Sequence, residues 1–311
     1  MTGLLLATWY FVLGIAANEP GSFYNKGHNA VWLEHQWVGE AKGRAEIREL
    51  VEQLERQQID TVFVHAGPLD ADGTVPPLLY QYAPRFLEIA REFDSTIQYQ
   101  AWLGQRREVI NLDDPEVRHN VAKAAMIMSQ LVGFDGVHFD VEPVWDQDLA
   151  FIETLAEARE LMPDGKKISV ALAEFIPESI VWLTKKTKDF KNYNSEVNYR
   201  NVAQYSDQIV VMVYDTGLQK EWLYRNLVSE QTIWLSRLLP DVELFVGIPS
   251  YDDNVTGEPQ EVENIENGVL GVIDGLNNVR SDEEVFAGLA IYAYWETDEE
   301  EWDIYQNNWI K

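Results

Sequence analysis

The chain has 311 residues, 46% hydrophobic and 12% aromatic, with 52 acidic against 24 basic side chains and a net charge of −28 at pH 7. That apolar content suits a large packed core rather than a disordered chain, and a surface so acidic repels phosphate backbones, which excludes a nucleic-acid partner. Cysteine is absent, so disulfides, thiol nucleophiles and cysteine-held zinc or iron–sulfur centres are ruled out.

From the N-terminus, Gly3–Ala17 is an uncharged apolar run that ends abruptly at Asn18-Glu19-Pro20-Gly21. It falls short of the ~20 residues that a bilayer span needs. Its length suits the core of an export signal, with Ile15-Ala16-Ala17 as a cleavage site, although the first cation is only Lys26. Residues 1–20 are accordingly expected to be a signal peptide or membrane anchor, which places the protein outside the cytoplasm. A buried first strand or helix is the alternative. Residues 21–311 are expected to form one domain.

Past Gly27, short runs rich in β-branched and aromatic residues alternate with amphipathic segments. The strand candidates are Ala30–Glu34, Thr61–His65, Thr96–Trp102, Gly136–Val141, Ile168–Ala173, Gln208–Tyr214, Glu243–Ile248 and Gly288–Tyr294. Between them lie period-3.6 stripes. Ile47, Leu50, Val51 and Leu54 mark a helix over Arg44–Gln57, and Asp113-Asp114-Pro115 opens another. Eight strand–helix units spaced by about 30 to 40 residues read as an α/β chain folded into a single (β/α)8 TIM barrel. A doubly wound open sheet is the rival, but no glycine-rich phosphate turn follows the first strand.

Catalytic groups of such barrels sit where the strands end. Those ends read Glu34-His35 with Trp37, then His65, then Tyr99-Gln100-Ala101-Trp102, then Asp140 and Glu142. The remaining four read Glu174, Tyr214-Asp215, Pro249-Ser250-Tyr251 and Tyr294-Trp295-Glu296. Polar and aromatic groups thus converge on one rim, as a hydroxylated ligand needs. Most of the 11 tryptophans and 14 tyrosines belong to the core. Trp102 and Trp295 are expected at the rim, with flat faces for sugar rings.

The densest stretch is Phe134-Asp135-Gly136-Val137-His138-Phe139-Asp140-Val141-Glu142. Strand alternation sends Val137, Phe139 and Val141 toward the helices, and Gly136, His138, Asp140 and Glu142 toward the barrel axis. Three ionisable groups on one interior edge are costly without partners or a task. Neighbouring carboxyls also push their pKa values apart, leaving one protonated beside one ionised, which glycosidic cleavage uses. A structural polar plug is the alternative.

This stretch resembles the D-G-x-D-x-D-x-E signature on the fourth strand of family 18 glycoside hydrolases, the chitinase-like enzymes. Asp135, Gly136, Asp140 and Glu142 match, while His138 stands where the pattern has an aspartate. Met212-Val213-Tyr214-Asp215 is similar to the family's sixth-strand M-x-Y-D, and Gly247-Ile248-Pro249-Ser250-Tyr251 to its seventh-strand G-I-P-x-Y. Trp295 resembles the tryptophan closing the eighth strand. The resemblance implies hydrolysis of an N-acetylated glycan, chito-oligosaccharide or peptidoglycan-like, by a substrate-assisted retaining mechanism. It implies Glu142 as general acid, Asp140 orienting the substrate's acetamido group, and Tyr214 bonding its carbonyl. Asp215 then supports the polar network and Trp295 forms the apolar floor. His138, Trp102, Glu174 and Tyr251 complete the expected substrate-binding set.

Two features depart from the family. An imidazole at 138 is expected to hold Asp140 ionised and depress its pKa. The stretch from Tyr251 to the next helix near Glu261 is too short for the extra α/β insertion of many chitinases, which favours a shorter or different glycan than chitin. Alternatives are a catalytically inactive, lectin-like barrel and an ordinary retaining pair of Glu142 with Glu174, which needs carboxyls ~5–5.5 Å apart. His35 and His65 leave a barrel metallohydrolase as a minor alternative, but no H-x-H or H-E-x-x-H spacing occurs, so neither a metal nor a cofactor is expected.

Overall fold

The computed structural model describes residues 17–176, 193–250 and 261–311. Eight parallel strands close in sequence order into a barrel. They are β1 (Asn29–Leu33), β2 (Ile59–Pro68), β3 (Gln98–Arg106), β4 (Gly136–Glu142), β5 (Lys167–Leu172), β6 (Gln208–Met212), β7 (Glu243–Pro249) and β8 (Phe286–Tyr292). The last strand returns to the first through Ala30↔Ala290 and Val31↔Ile291. The expected TIM barrel is therefore the fold.

The helices outside it are α1 (Arg44–Arg56), α2 (Ala83–Phe93), α3 (Pro115–Met126), α4 (Leu149–Leu161), α5 (Glu196–Ala203), α6 (Glu221–Leu238), α7 (Ile265–Leu276) and α8 (Glu299–Tyr305). The stripe read from the sequence is the buried face of α1. At the start of α3, the Asp114 carboxylate accepts the Glu116 N–H at 2.9 Å and Pro115 occupies the first turn.

Strand alternation divides the core into two layers. Val137, Phe139 and Val141 pack outward against the helices, while Ala30, Trp32, Phe63, Val210, Phe245 and Ala290 fill the barrel interior. Gly136, the motif glycine, is required by closeness: a Cβ there would lie 2.4 Å from the Lys167 carbonyl oxygen on β5.

Strand ends differ from expectation where pairing decides them. β3 runs to Arg106 rather than Trp102, because it stays paired with β4 as far as Arg106↔Glu142. β6 stops at Met212, and β8 at Tyr292 rather than Tyr294. Beneath the barrel, Asn277 at the end of α7 clasps the incoming chain. Its carbonyl accepts the Ala17 N–H at 2.9 Å, and its amide exchanges bonds with the Glu19 backbone at 2.8 and 3.0 Å. Of the expected leader Gly3–Ala17, only Ala17 is among the described residues. Among those residues no helix is long and apolar enough to cross a membrane.

Candidate active site

The site is built upward from a plug. His138 is fully buried. The Trp32 indole N–H donates to its Nε2 at 3.2 Å, so the imidazole proton sits on Nδ1 and is donated to Ser169 Oγ at 2.8 Å. The Phe63 ring lies face to face with it at 3.9 Å. Burial pushes the imidazole down to about 3, so it is neutral. The expectation that His138 holds Asp140 ionised is corrected here: both ring nitrogens are taken by Trp32 and Ser169, and they reach no carboxylate.

Asp140 takes its partner from β3 instead. The Trp102 indole N–H donates to Asp140 Oδ2 at 2.9 Å. Register explains how: Trp102 sits beside His138 and Gly104 beside Asp140. A Cβ on Gly104 would lie 3.1 Å from Trp102 Nε1, so the missing side chain is what admits the indole. Trp102 is half-buried, with its N–H committed to the carboxylate. Asp140 Oδ1 is sealed from solvent and makes no hydrogen bond.

Glu142 closes β4 at the mouth, with part of its surface open to solvent. Its pKa is raised by desolvation, then by the Asp140 and Asp215 charges, against Arg106. Burial also raises Asp140, opposed by the Trp102 bond. The two carboxyls titrate as a pair. The more strongly raised Glu142 keeps its proton where Asp140 has lost its own, which is the acid-and-anion division that glycosidic cleavage needs.

Two tyrosines face this pair. Tyr214 follows β6 and stacks on Tyr292, the last residue of β8, at 5.2 Å and 14°. Gly247 on β7 passes close to β6, where a Cβ would lie 3.0 Å from the Val211 carbonyl oxygen. Burial holds the Tyr214 hydroxyl well above its ordinary range, so it stays protonated and able to donate. Asp215 follows in the left-handed region, φ 57°, and is exposed.

Trp295 is 38% exposed and stands edge-on to Tyr292 at 5.9 Å. It thus borders the stacked tyrosines. Tyr292 holds the axial place, flanked by Trp32 at 5.5 Å and Trp102 at 6.4 Å. Sequence reading missed it by running β8 two residues too far. The signal was the inward stripe Gly288, Ala290 and Tyr292, which ends on an aromatic.

Glu174 stands just past β5, pushed up to about 7 by desolvation and by Glu263 and Asp215. Glu263 is buried, and its carboxylate accepts the Thr216 hydroxyl at 2.6 Å. The Asp215 charge bears on both Glu174 and Glu142. Tyr251 lies outside the described residues. On the opposite rim, His65 packs on His35 at 5.7 Å and on Trp102 at 4.6 Å, and burial lowers it to about 4. Among the described residues no three His, Asp or Glu side chains converge to hold a metal ion.

No protein-family model matches the chain, and no curated protein matches it. Solved structures do. The spore cortex-lytic enzyme SleL of Bacillus cereus superposes with a TM-score of 0.59 at 13% identity, over 90% of this chain and 74% of that one. A family GH18 chitinase from Cycas revoluta, in complex with allosamidin, gives 0.61 at 14%, over 91% and 99%. A class V chitinase from Nicotiana tobaccum, in complex with NAG4, gives 0.59 at 12%, over 90% and 98%. By fold, the chain is a TIM barrel similar to these chitinase and cortex-lytic structures.

Proposed function

We propose that the chain is a glycoside hydrolase that cleaves an N-acetylated glycan by a substrate-assisted, retaining route. The observation that carries this is the Glu142–Asp140 pair: a protonated acid at the mouth above a carboxylate fixed through one oxygen, its other oxygen sealed and unbonded. Glu142 gives its proton to the leaving oxygen as the glycosidic C–O bond breaks. The acetamido carbonyl of the reacting sugar attacks the anomeric carbon, and the Asp140 carboxylate orients that group and stabilises the positive charge that develops. The Tyr214 hydroxyl donates to that carbonyl, Tyr292 supports the ring, and Trp295 lines its edge. Water then opens the cyclic intermediate with Glu142 as base, restoring its proton. The complexes with allosamidin and NAG4 and the cortex-lytic name of SleL, all among structures of the same fold, support an N-acetylated substrate. On this reading the protein works outside the cytoplasm.

The test is hydrolysis of an aryl N-acetylglucosaminide oligomer by wild type and Glu142→Gln. The amide keeps shape and reach but has no proton to give, so the rate should fall by about 10²–10⁴-fold while affinity is kept. Equal rates would remove Glu142 from the mechanism. Binding without hydrolysis by either protein would make the chain the lectin-like barrel instead.

A further inference from the structure

We infer that Trp145, on the loop leaving β4 directly after Glu142, is a sugar-stacking platform on the leaving-group side of the cleaved bond. This rests on the hydrolase reading above and extends it to residues that neither motif nor resemblance singled out. Trp145 is 47% exposed, more than Trp295, yet it is not a loose surface side chain. One face of its ring is covered by the Arg107 guanidinium, 4.3 Å from the ring centre. Arg107 is itself buried and paired with Asp148, whose other oxygen accepts the Phe151 N–H at the start of α4.

The backbone is held as firmly. The Arg107 N–H donates to the Glu142 carbonyl at 2.7 Å, tying the strap beneath the tryptophan to the candidate acid. The Asp148 N–H donates to the Trp145 carbonyl at 3.2 Å and closes the turn. Asp146 accepts the Ser195 N–H at 2.8 Å, and the Gln147 N–H donates to Asn198 Oδ1 at 3.1 Å, which fastens the loop to α5. A large aromatic ring is thus backed on one face, immobilised from below and open on the other face. Ordering it for a ligand costs little, and the apolar face of a pyranose ring is a partner that uses a flat surface without asking it for hydrogen bonds.

The side follows from topology. Tyr214 and Tyr292 come from β6 and β8 and define where the reacting sugar lies. Trp145 lies on the loop that follows Glu142 out of β4, with its ring against Arg107 of the β3 loop, whose N–H bonds the Glu142 carbonyl. A glycan with its reacting sugar on the tyrosines and its bridging oxygen at Glu142 carries its next sugar toward Trp145. The ligand class is a β-linked N-acetylglucosamine oligomer that extends past the cleavage point.

The experiment measures binding without turnover. In a Glu142→Gln background, calorimetric titration with N-acetylglucosamine oligomers from dimer to hexamer compares Trp145 with Trp145→Ala and Trp145→Phe. The expected result is about a tenfold loss of hexamer affinity in the alanine variant, a smaller loss in the phenylalanine variant that keeps an aromatic face, and little change for the dimer. The alanine variant is expected to fold, because the side chain is half outside the core; a collapsed melting transition would pass the comparison to the phenylalanine variant. Equal hexamer affinity across the series would overturn the platform and leave the hydrolase reading standing. No hexamer binding even with Trp145 intact would overturn both.

Discussion

Replacing Trp102 by phenylalanine isolates one hydrogen bond of the site. The substitution keeps a ring against His65, now at 4.6 Å, and toward Tyr292, but deletes the N–H that Asp140 Oδ2 accepts at 2.9 Å. Hydrogen bonds to charged groups contribute about 1.5–3 kcal/mol, and 1.36 kcal/mol corresponds to about one pKa unit. The bond favours the ionised carboxylate, so its loss raises the Asp140 pKa further, by about 1–2 units. Activity in the proposed mechanism needs Asp140 ionised and Glu142 protonated. The acid limb of kcat/KM against pH should therefore move upward by that amount, costing about 10- to 100-fold on the limb and much less at the optimum. The alkaline limb should move less, because Glu142 is the more strongly raised of the pair and loses its proton last. The assay is a pH–rate profile on an aryl chito-oligosaccharide, with melting temperatures alongside. An unmoved acid limb, whatever the stability, would refute Trp102 as the group that positions and polarises Asp140.

Two further outcomes follow from the same geometry. Restoring an aspartate with His138→Asp puts a carboxyl into a fully buried slot shaped for an imidazole stacked on Phe63. It should cost on the order of 3–5 kcal/mol of stability, read as a lowered Tm that falls further from pH 5 to pH 8. An unchanged Tm with a shifted pH–rate profile would instead restore direct tuning of Asp140 by residue 138. Glu174 has a folded pKa of about 7 against an ordinary 4.5. Its full contribution to stability is present below the unfolded pKa and is lost as pH rises through the folded one. Glu174→Gln should then gain roughly 1–3 kcal/mol over wild type at pH 8 and nothing at pH 4, by denaturant titration. A loss of all hydrolysis with rescue by azide would make Glu174 a nucleophile.

The barrel was legible because parity and period act locally. Alternation alone placed Gly136, His138, Asp140 and Glu142 on the axis, and the α1 stripe came from spacing. The partners of those groups were not legible, because they arrive through register between strands. Nothing along β3 states that Trp102 stands beside His138 or that Gly104 leaves a gap over Asp140; both are consequences of how β3 and β4 align. For the same reason His138 was assigned to Asp140, its neighbour in sequence, when its bonds run to Trp32 on β1 and Ser169 on β5. Tyr292 was passed over because β8 was read two residues past its end. Trp145 carried no signal at all, since its meaning depends on a guanidinium from the preceding loop.

The Asn277 clasp settles which way the mouth looks. Residues 17–24 are fastened beneath the barrel, where a Cβ on Gly21 would lie 2.2 Å from the Asn308 carbonyl oxygen near the other end of the chain. Both described ends therefore emerge on the floor, and Glu142, Tyr214 and Trp145 open on the far side. An attachment made at Ala17 or Lys311, whether a bead, a fused module or a surface, presents the cleft outward across the full depth of the barrel. The same attachment made through the β4 loop would bury the cleft against its support.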